Sequence, residues 1–152
     1  MITKMYHLRA ICDDDYDFLW RLNEETLRAH VEVIWGWDEE VQRAHFQDRM
    51  KRDSDKRLIL VEGRRIGYLE LKDAHALLHI VNIQISSRYQ GRGLGGRVVQ
   101  DLLVDASTRG LDVTLGVFKV NTRALRFYER LSFQIVGSTD THWELLWSYA
   151  HP

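Results

Sequence analysis

Apolar and polar positions change period several times along the chain, and each change predicts an element. Residues 5–11 (MYHLRAI) alternate with the two-residue period of a strand. Tyr16, Leu19, Trp20, Asn23, Leu27, Val31 and Ile34 then recur at helical spacing. This predicts an amphipathic helix over 14–34, with Asp13-Asp14-Asp15 supplying caps and favourable charge at its start. WGWD (35–38) interrupts it, and a second helix over about 38–52 carries Val41, His45 and Phe46 on one face. Residues 57–62 and 65–73 read as a hairpin turning at Gly63-Arg64. Residues 77–86 (LLHIVNIQIS) are almost continuously apolar, the mark of a central strand.

A helix follows with Leu94, Val98, Leu102 and Ala106 along one side, and Arg109-Gly110 ends it. Residues 112–118 read as a strand. Asn121 can cap a helix striped with Ala124, Phe127, Tyr128 and Leu131, and the tail reads as two strands around a polar turn. The order β-α-α-β-β-β-α-β-α-β-β predicts an α/β (α+β mixed) fold, with a mixed central sheet of six to seven strands and about four helices. The only proline is the last residue, and no linker or internal repeat occurs, so 1–152 reads as one domain.

Charge and composition narrow the partners. A formal net charge of −1 gives no basic field for nucleic acid. The lone Cys12 excludes an internal disulfide, and no metal-ligand spacing occurs. No signal segment or apolar run of membrane-spanning length is present, so the expected location is cytoplasmic, with no membrane partner.

The candidate chemistry gathers at Gln90–Gly96 (QGRGLGG), which holds four of the ten glycines. A mere connector leaves this concentration of backbone freedom without a reason. Gly91-x-Gly93-x-x-Gly96 matches a dinucleotide fingerprint in letters only. Five residues separate it from the preceding strand, and the next strand ends VFKVN without an acid. A third reading is an anion cradle, in which main-chain N–H groups at a helix start face a diphosphate and Arg92 adds charge.

The run from Ile85 to Gly95 resembles the acetyl-CoA loop of the GNAT superfamily of N-acetyltransferases, with Gln90, Gly93 and Gly95 on its Arg/Gln-x-x-Gly-x-Gly/Ala pattern. Asn121-x-x-Ala124-x-x-x-Tyr128-Glu129-x-x-x-Phe133 resembles the family's second cofactor motif, with Ser132 where the family usually has glycine. The resemblance implies a GNAT-type acyl-CoA N-acyltransferase fold and an acetyl-CoA-dependent N-acetyltransferase that releases coenzyme A. It implies that Gln90, Gly91, Arg92, Gly93, Leu94, Gly95 and Gly96 hold the cofactor, and that its arm runs beside Ile83, Gln84 and Ile85. An N–H near Ile83 or Gln84 would meet the acetyl oxygen.

Tyr128 is then the expected proton donor to the leaving thiolate, with Asn121 beside the cofactor. His79 is the candidate base, Glu70 and Glu32 are further carboxylates, and Asn82 could hold a water. Glu32, Trp35 and Trp37 suit a cationic small-molecule or peptide amine. Trp143 and Trp147 share one face of a terminal strand, where they could line the same pocket or a homodimer contact. A catalytically silent acyl-CoA-binding module is the alternative of another class, and Tyr128 is the residue it would not need.

Overall fold

The computed structural model describes residues 5–150. Strand β1 (His7–Ala10) leads to a 3-10 turn at Asp13–Asp15 and then helix α1 (Tyr16–Ile34). The three aspartates form their own turn rather than capping the helix, because Asp15 is claimed elsewhere. Its carboxylate is wholly shielded, accepts the Cys12 N–H at 2.9 Å, and pairs with Arg9 at 2.9 Å and Arg65 at 3.0 Å. Helix α2 (Glu39–Met50) starts as expected, with the Asp38 side chain accepting from the Val41 N–H at 3.1 Å.

Strands β2 (Asp55–Val61), β3 (Arg64–Ala74) and β4 (Leu77–Ile85) follow, then helix α3 (Leu94–Arg109), strand β5 (Asp112–Phe118), helix α4 (Thr122–Arg130), and strands β6 (Gln134–Ser138) and β7 (His142–Trp147). The β2–β3 turn is one residue earlier than the sequence suggested. Glu62 and Gly63 both take positive φ, 51° and 77°, the pairing a two-residue hairpin with right-handed strand twist requires. Backbone pairing gives a seven-stranded mixed sheet in the order β1-β2-β3-β4-β5-β7-β6. The α/β character, strand count and four helices agree with the expected fold.

The described residues form two compact units, 5–70 with 83–94 and 71–82 with 95–150. In the first, Leu19, Trp20 and Leu22 of α1 pack with Phe46 of α2, Leu58 of β2 and Tyr68 of β3. Ring contacts of Phe46 with Tyr16 and Trp20, at 5.2 and 5.5 Å, hold the helices edge to face. In the second, β4 and β5 run parallel, in register from Leu77↔Asp112 to Ile80↔Leu115, and β5 pairs antiparallel with β7. Strand β4 continues five residues beyond that ladder, to Ile85.

Candidate active site

Five residues past the parallel ladder, β4 gives way to a 3-10 turn at Ser87–Tyr89 and then to the glycines. Gly91 and Gly93 adopt φ of 74° and 78°, left-handed values that cost a side chain strain, and open space lies where each β-carbon would stand. Helix α3 begins at Leu94 with no acidic residue in its first turn. Helices α1 and α2 both carry first-turn acids. The first N–H groups of a helix have no intrahelical partner and carry the positive end of its dipole, so an acid-free start leaves them to an outside anion. Open backbone at Gly91 and Gly93 and an acid-free helix start are features that suit a diphosphate, so the residues fit a coenzyme A phosphate group.

Gln90 acts within this loop through its side chain as well. Its Nε2 donates to the Ile85 carbonyl at 2.7 Å, folding the loop back onto the strand end. That contact takes one lone pair of Ile85, so this residue offers a cofactor arm its N–H more readily than its carbonyl. The Arg92 guanidinium lies 5.4 Å from the Tyr89 ring. Gln84 is buried, and its Nε2 faces the Asn23 oxygen of α1 at 3.4 Å. Arg49 of α2 donates to the same oxygen at 3.0 Å, while the buried Asn23 Nδ2 has no hydrogen-bond partner among the described residues. Nearby in sequence, Glu70 is buried rather than solvated. Its two oxygens accept from the Tyr68 hydroxyl at 3.0 Å and the Ser54 hydroxyl at 2.7 Å. Burial, then the Glu70 charge, pushes the Tyr68 phenol far up, so it stays a neutral donor.

In the second unit, Asn121 caps α4 by accepting from the Ala124 N–H at 3.1 Å. Tyr128 is buried near the end of that helix, edge-on to Phe127 at 5.0 Å and Phe133 at 5.5 Å. Desolvation pushes its phenol up to about 12. Ser132, standing at the usual glycine position, takes φ 73°. The Phe133 N–H donates to the Tyr128 carbonyl at 3.1 Å and the Ser132 N–H to the Glu129 carbonyl at 3.0 Å, so the left-handed helix exit forms even without glycine. His79 pairs across the ladder with Thr114, its Nδ1 2.8 Å from the hydroxyl. Burial lowers its pKa against a smaller opposing hydrogen bond from Thr114. Asn82 is half-buried in β4.

At the α1–α2 corner, Trp35 is exposed, whereas Trp37 packs 6.3 Å from Trp20. Arg28 lies 5.3 Å from the Trp37 ring and is bonded to Glu32 at 2.7 Å, and Arg43 lies 4.4 Å from the Trp20 ring. Of the two rings that the sequence offered to a cationic acceptor, Trp37 thus already has one of the chain's own arginines over it, and Trp35 is exposed. The shielded Trp37 Nε1 has no hydrogen-bond partner among the described residues.

A central strand ending in a glycine loop and an acid-free helix start, on a mixed seven-stranded sheet, defines an acyl-CoA N-acyltransferase fold. The chain belongs to the Acetyltransferase (GNAT) family, which it matches over residues 14–133. It is 27% identical over 124 residues to N-alpha-acetyltransferase 40 of Saccharomyces cerevisiae, covering 75% of this chain. The chain spans only 41% of that relative's length. Its fold is similar to that of the PaiA N-acetyltransferase of Thermoplasma acidophilum in complex with coenzyme A, with TM-score 0.76, 14% identity, and coverage of 95% of this chain and 99% of that one. Spermidine N-acetyltransferase of Vibrio cholerae in complex with CoA and spermine is also similar, with TM-score 0.68, 18% identity and 96% of each chain covered.

Proposed function

We propose that the chain is an acetyl-CoA-dependent N-acetyltransferase that transfers acetyl to a primary amine by direct attack in a ternary complex. The observation that carries this reading is the pair of left-handed glycines, Gly91 and Gly93, leading into the acid-free start of α3. Family membership and the coenzyme A bound to a protein of similar fold support the cofactor.

Bound acetyl-CoA supplies an activated acyl carbon as a thioester. Main-chain N–H groups of Gly91–Gly96 would hold its diphosphate, with Arg92 adding charge. The N–H groups of Ile83 and Ile85 would orient its arm. An N–H at Ile83 or Gln84 would donate to the acetyl oxygen, a contribution of about 2–4 kcal/mol where charge develops. Burial keeps the Tyr128 phenol protonated at neutral pH, so it would offer the departing sulfur a hydrogen bond that strengthens as negative charge grows. With Nδ1 of His79 engaged by Thr114, Nε2 is the nitrogen left to accept the amine's proton, directly or through a water at Asn82.

The acceptor is a small-molecule or peptide amine. The yeast relative acts, by its name, on protein α-amines, and the Vibrio protein on a polyamine. Trp35, Trp37 and Glu32 remain the acceptor residues we propose, with the unpartnered Trp37 Nε1 as a donor to it. Thiol release from acetyl-CoA over a panel of peptide N-termini and polyamines tests the reading. Turnover with at least one amine is expected, with Tyr128→Phe slower by about 10–100-fold and coenzyme A affinity kept. Binding of coenzyme A without turnover on any amine favours a silent binding module instead. No binding at all removes the proposal.

A further inference from the structure

The turn that delivers the glycines is capped from a distance. The short turn Ser87–Tyr89 has Ser86 before it, and the Ser86 side chain makes no cap hydrogen bond. The acceptor comes instead from α1. The Glu25 Oε1 accepts the Ser87 main-chain N–H, and the Ser86 hydroxyl lies 3.4 Å from the same oxygen. Two residues before Glu25, Asn23 meets the side chain of Gln84. One helix therefore ties down both the last buried residue of the cofactor strand and the first N–H of the turn beyond it.

A carboxylate here is unexpected on charge alone. A diphosphate bound at Gly91–Gly96 would be repelled by an acid at the head of the same loop. Burial alone would raise the Glu25 pKa, but hydrogen bonds from Ser87 and Ser86 and the charge of Arg88 outweigh it and lower the value. The charge is thus partly matched locally, and what remains is a strong acceptor aimed at one main-chain N–H.

We propose that Glu25 is a positioning residue for the cofactor loop, acting as the cap that fixes the Ser86–Tyr89 turn so that the amides of Gly91 and Gly93 face the diphosphate. This rests on the acetyl-CoA reading above. It makes a prediction of opposite sign to simple charge repulsion. Removing the acid would tighten coenzyme A if repulsion dominated, and would weaken it if capping dominates.

Two variants separate the effects. Glu25→Gln discards the charge but keeps an oxygen that can accept from Ser87, whereas Glu25→Ala discards both. Calorimetry with coenzyme A and hydrogen exchange of the cofactor-free protein are run on both variants and the parent. The expected result is coenzyme A binding weaker by about 5–30-fold in Glu25→Ala and within about 2-fold in Glu25→Gln, the loss of one charged hydrogen bond against its neutral replacement. Amides of 86–93 should exchange faster in Glu25→Ala only. Equal affinities in the two variants, or tighter binding in both, overturns the proposal. So does unchanged exchange at 86–93 in Glu25→Ala. Should the parent itself give no heat with coenzyme A, the cofactor reading fails, while the exchange data still decide whether Glu25 holds the turn.

Discussion

A β-carbon on Gly67 of β3 would stand 2.5 Å from the main-chain oxygen of Gln84 in β4, and 3.1 Å from the Ile59 side chain. No real side chain tolerates that approach to backbone, so β3 accepts only glycine here unless β4 moves. Gln84 belongs to the segment proposed to meet the acetyl oxygen, which makes Gly67 a remote determinant of where that segment lies.

Gly67→Ala should therefore cost about 1–3 kcal/mol of stability through overpacking. It should also weaken coenzyme A binding, because the displaced carbonyl belongs to the strand proposed to hold the cofactor arm. Urea unfolding and calorimetry on the same variant check the two effects together, and a fully stable variant with parental affinity would show that β4 has slack at Gln84.

Ser132 gives the opposite sign. An L-residue at φ 73° carries strain that glycine lacks, and its side chain is exposed. Ser132→Gly should stabilise by about 0.5–1.5 kcal/mol, since relief of left-handed strain outweighs the added freedom of the unfolded chain. Chemical denaturation with an unchanged m-value checks this.

How much of this was legible beforehand follows from sequence distance. The glycine loop, the Asn121 cap and Tyr128 could be read because each motif is local and its spacing survives on one line of text. Asn23 and Glu25 could not, since their partners Gln84 and Ser87 lie 61 and 62 residues away. Asn23 did leave a trace, as the one amide in an otherwise apolar helical stripe. Glu70 was named only as a further carboxylate, and its burial went unread because β3 alternates too weakly to show which side chains turn inward. The aspartate run was assigned to capping, and only the fold reveals that Arg9 and Arg65 converge on Asp15.

Asp15 should make stability sensitive to acid. Its carboxyl is held down at about 2 from an ordinary 3.8, chiefly by the hydrogen bond from Arg9. Above 3.8 both folded and unfolded chains carry the charge, and the full contribution is present. Between 3.8 and about 2 the unfolded chain takes up the proton first, so the contribution shrinks as pH falls and is gone below about 2. Asp15→Asn should lose about 1–2 kcal/mol at pH 6 and much less at pH 2.5, seen as converging urea midpoints for variant and parent.

His79 should leave its mark on the rate. Burial holds its imidazole below the usual 6.5, so it is neutral at pH 7 and charges only as the medium is acidified. The proposed base predicts a kcat/KM profile with an acid limb below pH 6.5 that vanishes in His79→Gln along with a rate loss of about 10–100-fold. A variant that retains both the limb and the rate assigns His79 to its cross-strand bond with Thr114 alone.

The arginines stacked on Trp20 and Trp37 bear on selectivity. In the proposed acceptor corner, an ammonium approaching the Trp37 ring would have to evict Arg28 from both that indole and Glu32 before gaining anything there. Only a guest that brings more than a bare positive charge, such as a neighbouring amide to engage the Trp37 indole, recovers that loss. On the proposed acceptor reading, the corner would screen visitors by what accompanies their nitrogen, with the Arg28 guanidinium setting the threshold for admission.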